Sequence, residues 1–257
     1  MADFTLVKDA DGVATITWDV PKKSMNVMSF EGLELLNDMI DDVLADEAVK
    51  GVVITSGKDT FAGGMDLNLL AKMKEDAGDD PAKGLFDGTM KMHGLLRKIE
   101  RAGMDPKTNK GGKPIAAALP GTAAGIGLEL PLATHRIFLA NTPKAKVGLP
   151  EIMVGIFPGA GGTTRLARKL GAMGASPFLL EGMLSDPNKA KMAWLVDEVV
   201  PADELLAKAK EWVLSEPSIE KPWDEKGYKM PGGAPYHPAG FMTYVGASAM
   251  VNGKTQG

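Results

Sequence analysis

Two glycine-rich turns and two glutamates are the residues of this chain best suited to chemistry. The first turn is FAGGMD, residues 61–66, and the second lies in GTAAGIGLEL, residues 121–130. Each follows an apolar, strand-like run. In the second, Gly125 and Gly127 open a helix-like segment with Glu129 just inside it. Glycines beside a helix start let backbone N–H groups face a ligand with no side chain in the way. Two such turns facing one carbonyl supply donors for the negative charge that develops on its oxygen. A second glutamate, Glu151, follows in VGLPEIMVGIFPGAGGTTRL. Both carboxylates stand among apolar residues: Leu128 and Leu130 beside one, Leu149, Pro150, Ile152 and Met153 beside the other. Burial raises a carboxyl pKa unless a partner compensates, which suits a proton carrier. Alone, Glu129 reads first as an acidic residue complementing a helix dipole. Two donors and two carboxylates together are the parts for acid–base chemistry next to an activated carbonyl.

These residues need a scaffold, and the chain's periodicity describes one. Residues 4–7 and 13–18 alternate apolar and polar around Asp11-Gly12, a hairpin signal. Ser29 caps a predicted helix through about residue 44, with Leu33, Leu36, Met39, Ile40 and Val43 on one face. Buried strands are predicted at 51–56 and 115–119, each leading into a glycine turn, with helices at 67–74 and 86–101. Residues 76–83 read as loop. Short strands at 136–140 and 146–148 precede helices at 162–170, 176–181 and 189–194, a strand at 196–200 and an amphipathic helix at 202–214. Strands alternating with helices indicate an α/β fold. After Ser215, five prolines and several glycines make regular structure improbable up to a short helix at 241–250. That run is expected to be loosely held, with Phe241, Tyr244 and Val245 as its one apolar anchor.

Composition narrows the function. The 257 residues are 44% hydrophobic and 24% charged, ordinary for a globular chain. Cys is 0, so thiolate chemistry and disulfides are absent. The formal net charge of -4 argues against a general nucleic-acid role. No run approaches a membrane span, and the start carries no signal or transit pattern, which makes the cytoplasm the expected compartment. His93, His135 and His237 lack metal-ligand spacing, so no metal is expected. No G-x-G-x-x-G follows a strand, so no nicotinamide site is expected. Gly253-Lys254-Thr255 resembles only the end of a P-loop. Lys22-Lys23 and the lysines between 107 and 113 read mainly as solvated surface, with phosphate binding as the alternative. The 16 methionines, Trp194 and Trp212 read as core.

The order G-x-A-x-G-x-G-x-E-L, then P-E-x-x-x-G-x-x-P-G-x-G-G, resembles the crotonase, or enoyl-CoA hydratase, superfamily over about residues 4–212. It is most similar to the N-terminal hydratase region of bacterial bifunctional fatty-acid β-oxidation enzymes. The resemblance implies a crotonase-like spiral of ββα units over residues 1–214. It reads residues 215–257 as a Pro/Gly-rich extension, the start of a linker toward a dehydrogenase region, with the family's later helices truncated. It implies a cytoplasmic 2-enoyl-CoA hydratase of β-oxidation, with Δ3-Δ2 enoyl-CoA isomerisation or a silent docking role as alternatives. Glu129 and Glu151 take the two acid–base positions. The backbone N–H groups of Met65 and Ile126 take the oxyanion-hole positions. Ile126 departs from the glycine most members carry there, and Met65 is larger than the common alanine. Coenzyme A is implied as the substrate carrier, its adenine along residues 62–67 (Ala62, Gly64, Asp66, Leu67), with Lys23 near its phosphates. A homo-oligomer and a thiolase subunit are the implied partners.

Overall fold

A hairpin opens the structure. Strand β1 (Phe4–Lys8) runs antiparallel to β2 (Val13–Trp18), with Phe4 opposite Trp18. The computed structural model describes residues 2–65, 80–234 and 236–255. Every later strand of the main sheet is parallel to its neighbour: β3 (Gly51–Ser56), β4 (Ile115–Leu119), β6 (Arg136–Ala140) and β9 (Glu198–Val200), in the order β1-β2-β3-β4-β6-β9. A smaller sheet, β5-β7-β8, joins Ala123–Ala124, Val147–Gly148 and Leu184–Ser185.

Parallel strands need helical crossovers, and these cover both faces of the sheet. Alternation along β3 shows the consequence. Val52 and Ile54 enter the larger core, while Val53 enters a second one with Ala116, Phe138 and Val200. Helix α1 (Phe30–Ala45) and helix α2 (Pro81–Arg101) supply Leu36, Ile40, Leu96 and Ile99 to the first core. Helix α3 (Ile126–Ala133) is buried along its whole length, and helix α4 (Gly162–Leu180) packs on it. The short helix α5 spans Pro187–Met192. Helix α6 (Leu205–Leu214) closes the second core with Leu205, Ala209 and Val213. Helix α7 (Pro238–Thr255) packs on α4.

The strands predicted over 13–18, 51–56, 115–119 and 136–140 are found at those residues. Ser29 caps α1 by accepting from Gly32 N–H. The helix predicted over 67–74 lies outside the described residues. Other expectations change. Helix α2 starts at Pro81, inside the stretch read as polar loop, because Asp80 accepts from Lys83 N–H and Pro81 stands at the first helical position. The two helices predicted around 170–176 are one run kinked at Gly171, whose φ is 73°. Trp194 is 65% exposed rather than core. Trp212 is partly buried beneath Arg136.

The tail is held differently from the expectation. Phe241 and Val245 remain 59% and 46% exposed, so they are poor anchors. Polar contacts hold the segment instead. Asp224 accepts two bonds from Arg97, Trp223 Nε1 donates to Glu100, and Tyr228 Oη donates to Arg168 O. Among the described residues, no helix is long and apolar enough to cross a membrane.

Candidate active site

The site forms where the two glycine turns lie side by side. Phe61 and Ala62 N–H both donate to Thr122 O, and Ala124 N–H donates back to Ala62 O at 3.0 Å. A buried asparagine fixes the first turn from behind. Asn26 Nδ2 donates to Trp18 O and Phe61 O, and its Oδ1 accepts from Val20 N–H, each at 2.9 Å. Asn26 O accepts from Gly63 N–H at 2.9 Å. Only tertiary contact identifies Asn26; its sequence context carries no signal.

Gly125 precedes α3 with φ 59° and ψ -129°. A Cβ here would lie 3.3 Å from Glu151 Oε1 and 3.5 Å from Gly64 Cα. Glycine therefore meets two needs: a backbone conformation L-residues avoid, and close approach of the first turn and a carboxylate. Ile126 is the first residue of α3, where an N–H has no intrahelical acceptor. Its side chain is 3% exposed and belongs to the core, so the larger residue is accommodated without entering the turn.

Met65, Ile126, Glu129 and Glu151 all line one cavity of about 600 Å3. Leu85 and Met92 of α2 and Phe157 add apolar wall, and Met153 and Val154 are exposed at the rim. Gly64 also lines it, and Ala62 is buried beneath it. Lys23 is exposed and does not line this cavity. Asp66 and Leu67 lie outside the described residues. Lys113 is engaged elsewhere, donating to Val43 O and Asp46 O at the end of α1.

The two carboxylates differ in environment. Glu129 is 2% exposed, and its Oε1 accepts from the N–H groups of Ala160 and Gly162, both at 2.8 Å. Burial pushes its pKa up to about 7; the Glu151 charge adds to this, while the two N–H bonds and Arg165 oppose it. Glu151 begins a 3-10 turn, Glu151–Val154. Burial raises its pKa too, and its Oε2 is buried without a hydrogen-bond partner among the described residues. One carboxylate is thus anchored by backbone donors with its acidity near neutral. The other keeps one buried oxygen unpartnered among the described residues. Two carboxyl groups thus line one cavity together with Met65 and Ile126, the pairing that acid–base chemistry requires.

Burying Glu129 carries a stability consequence with a definite sign. Its pKa is about 7 folded against a reference of 4.5, so the folded state holds the proton more tightly. Its contribution to stability is fully present below pH 4.5 and is lost as pH rises toward 7. Glu129→Gln should therefore match wild type in acid and become more stable above pH 7, by up to about 3 kcal/mol. Urea unfolding at pH 4.5 and pH 8 checks this. An advantage of the same size at both values would show that burial of the charge is not its cause.

Two groups outside the expected set shape the turn that holds Glu129. His93, set aside for want of metal spacing, bonds through Nε2 to Gly159 O at 2.8 Å. Arg165, 7% exposed, donates from Nη1 to Ala160 O at 3.3 Å. His93 reaches Gly159 across 66 positions, and Arg165 is itself held by Glu100 across 65, beyond any local pattern.

Known proteins resemble this chain in sequence and fold. The sequence profile of the enoyl-CoA hydratase/isomerase family matches residues 8–217. The fatty acid oxidation complex subunit alpha of Shewanella halifaxensis is 36% identical over 213 residues, 82% of this chain and 28% of that protein. The same subunit of Shewanella amazonensis is 33% identical, over 85% of this chain and 29% of that protein. The chain thus spans less than a third of the length of these curated relatives. Among solved structures, an enoyl-CoA hydratase of Geobacillus kaustophilus HTA426 aligns with a TM-score of 0.70 and 30% identity, over 82% of this chain and 73% of that one. That of Bacillus anthracis aligns with a TM-score of 0.69 and 26% identity, over 84% and 77%. With the motif order, the ββα spiral and the profile match over most of its length, this chain belongs to the enoyl-CoA hydratase/isomerase family, the crotonase superfamily.

Proposed function

We propose that this chain is a 2-enoyl-CoA hydratase of fatty-acid β-oxidation, adding water across the trans-2 double bond to give a 3-hydroxyacyl-CoA. The observation that carries the reading is the convergence of Glu129 and Glu151 on one cavity beside two backbone donor turns. The thioester oxygen accepts from Met65 and Ile126 N–H, which favours the transition state because charge grows on that oxygen as water adds. Glu129 holds and deprotonates the water attacking the β carbon. Glu151 delivers a proton to the α carbon. This division follows the family's mechanism. It is supported by a Glu129 pKa near neutrality and by the unpartnered Glu151 oxygen. The apolar wall at Leu85, Met92 and Phe157 suits an acyl chain. Coenzyme A is the proposed carrier, its adenine along residues 62–67 and Lys23 near its phosphates. A homo-oligomer and a thiolase subunit are proposed partners, prompted by relatives named as subunits of a complex.

The second reading is Δ3-Δ2 isomerisation with Glu151 alone shuttling the proton. Retention of both glutamates favours hydration, because family isomerases commonly keep only the second. The test is direct: the purified chain is given crotonyl-CoA, a long-chain 2-enoyl-CoA and a 3-enoyl-CoA, and product is followed by chromatography. Hydration of the 2-enoyl substrates is expected. Turnover of the 3-enoyl substrate to its 2-enoyl isomer with no hydration would replace the proposal by the second reading. No turnover of any would favour a silent docking role.

A further inference from the structure

The segment Lys221–Asp224 touches both supports of Glu129. Lys221 Nζ donates to Thr134 O and Leu132 O, the carbonyls that end α3, the helix carrying Glu129. A cation at a helix C-terminus complements its dipole and fixes its position. Two residues on, Trp223 Nε1 donates to Glu100 Oε1 at 3.1 Å. Glu100, 2% exposed, also accepts from Arg165 Nε at 3.1 Å and from Arg97 at 2.7 Å. Arg97 then grips Asp224 with two bonds, at 2.7 and 2.9 Å. Arg165 is the residue that braces Ala160 O, and Ala160 N–H is one of the two donors to Glu129. From Trp223 to Glu129 the path is thus continuous: tail indole, buried carboxylate, buried guanidinium, turn, carboxylate.

We infer that Lys221, Trp223 and Asp224 form a latch that positions Glu129, holding its helix from one side and the turn that donates to it from the other. They are positioning residues, not catalytic ones, since none lines the cavity that holds Glu129 and Glu151. Three features favour this over a merely structural tail. The Glu100–Arg165 pair is buried, and such a pair is stable only while its remaining bonding capacity is met, here by Trp223 and Arg97. The donor turn is short and glycine-rich, so its geometry comes from outside, from Arg165 and His93. And the same four-residue segment reaches α3 and α2 at once. This deepens the hydratase reading, because it matters for turnover only if Glu129 is the base.

The charges that act directly on Glu129 are those of Glu151 and Arg165 on α4; ionisable groups on the elements packed around it also include His93, Arg97 and Glu100 on α2, Arg168 and Lys169 on α4, His135 after α3, and Lys221. His135 is pushed down to about 3 by burial, so it stays neutral. Its Nδ1 accepts from Ile115 N–H, leaving Nε2 to donate to Glu100 O. Opening the latch loosens the N–H bonds to Glu129 and lets Arg165 move, both of which favour the protonated carboxyl. The Glu129 midpoint should therefore rise.

The test is a 13C titration of glutamate carboxyls in the full chain without substrate, the Glu129 signal being assigned by its loss in Glu129→Gln. Trp223→Phe and Asp224→Asn should each raise the midpoint, by at least about half a unit. The acid limb of the kcat profile for crotonyl-CoA should move by the same amount, with KM unchanged. Lys221→Met should do likewise, and Lys221→Arg should restore the wild-type midpoint. If Asp224→Asn fails to fold, Trp223→Phe, which keeps most of the ring packing, decides. A midpoint unchanged in folded Trp223→Phe and Lys221→Met, or a uniform fall in activity at every pH, would overturn the latch. Because the titration needs no turnover, shifted midpoints in a chain that hydrates nothing would uphold the latch and sink the hydratase reading.

Discussion

Glu151→Gln is expected to lower kcat for crotonyl-CoA hydration by at least about 100-fold, the low end for a positioned acid or base. The structure makes this a clean substitution. Glu151 Oε2 has no hydrogen-bond partner among the described residues, so no fold-holding bond to that oxygen is lost. An amide fills nearly the same space and cannot deliver a proton. Glu129→Gln should fall by a similar factor, for a different reason: an amide oxygen still accepts from Ala160 and Gly162 N–H, but no longer takes a proton from water. Coenzyme A affinity should change little in either variant, since neither glutamate is expected to touch the nucleotide. The two should part on a 3-enoyl substrate, where Glu129→Gln keeps any isomerisation and Glu151→Gln loses it. Steady-state kinetics with circular dichroism on each variant checks this. Near-normal hydration by either folded variant would remove the two-carboxylate mechanism.

Ile126→Pro has the next largest expected effect, a loss of about 100- to 1000-fold, the range for deleting one oxyanion donor. Proline inside a helix usually breaks it, but Ile126 is the first residue of α3, where proline is tolerated because its missing N–H has no intrahelical acceptor. The backbone change therefore removes the donor and little else. The side chain is another matter: Ile126 is 3% exposed, and shrinking it costs packing. Ile126→Gly supplies the control, since it shrinks the side chain further while keeping the N–H. It should be less stable than wild type yet stay within a few-fold in kcat. Full activity in a folded Ile126→Pro variant would exclude Ile126 N–H from the oxyanion hole. Equal losses in both variants would assign the effect to packing.

Much of this site was legible in the sequence because its parts are local. The alternation over 13–18, the apolar run at 51–56 and the Ser29 cap each act through bonds or sterics spanning a few residues, so a short window contains the cause. The two glutamates were legible by their place in motifs, and the structure brings both to one cavity with Met65 and Ile126. The start of α2 was missed although its cap is local, because the polar run leading into it outweighed Asp80-Pro81.

Tertiary structure alone decided the rest. The pKa of Glu129 depends on burial and on donors from Ala160 and Gly162 across a loop. Asn26 bonds to Phe61, and His93 to Gly159, over separations of 35 and 66 residues. Trp223 reaches Glu100 over 123. Trp194, predicted at the end of a helix, lies beyond α5 and is exposed, while the tail makes contacts through charged and polar groups. The physical reason is the same in each case. Local patterns fix the conformation a segment prefers. Burial, charge pairing and a carboxyl's acidity are properties of whatever the rest of the chain packs against it.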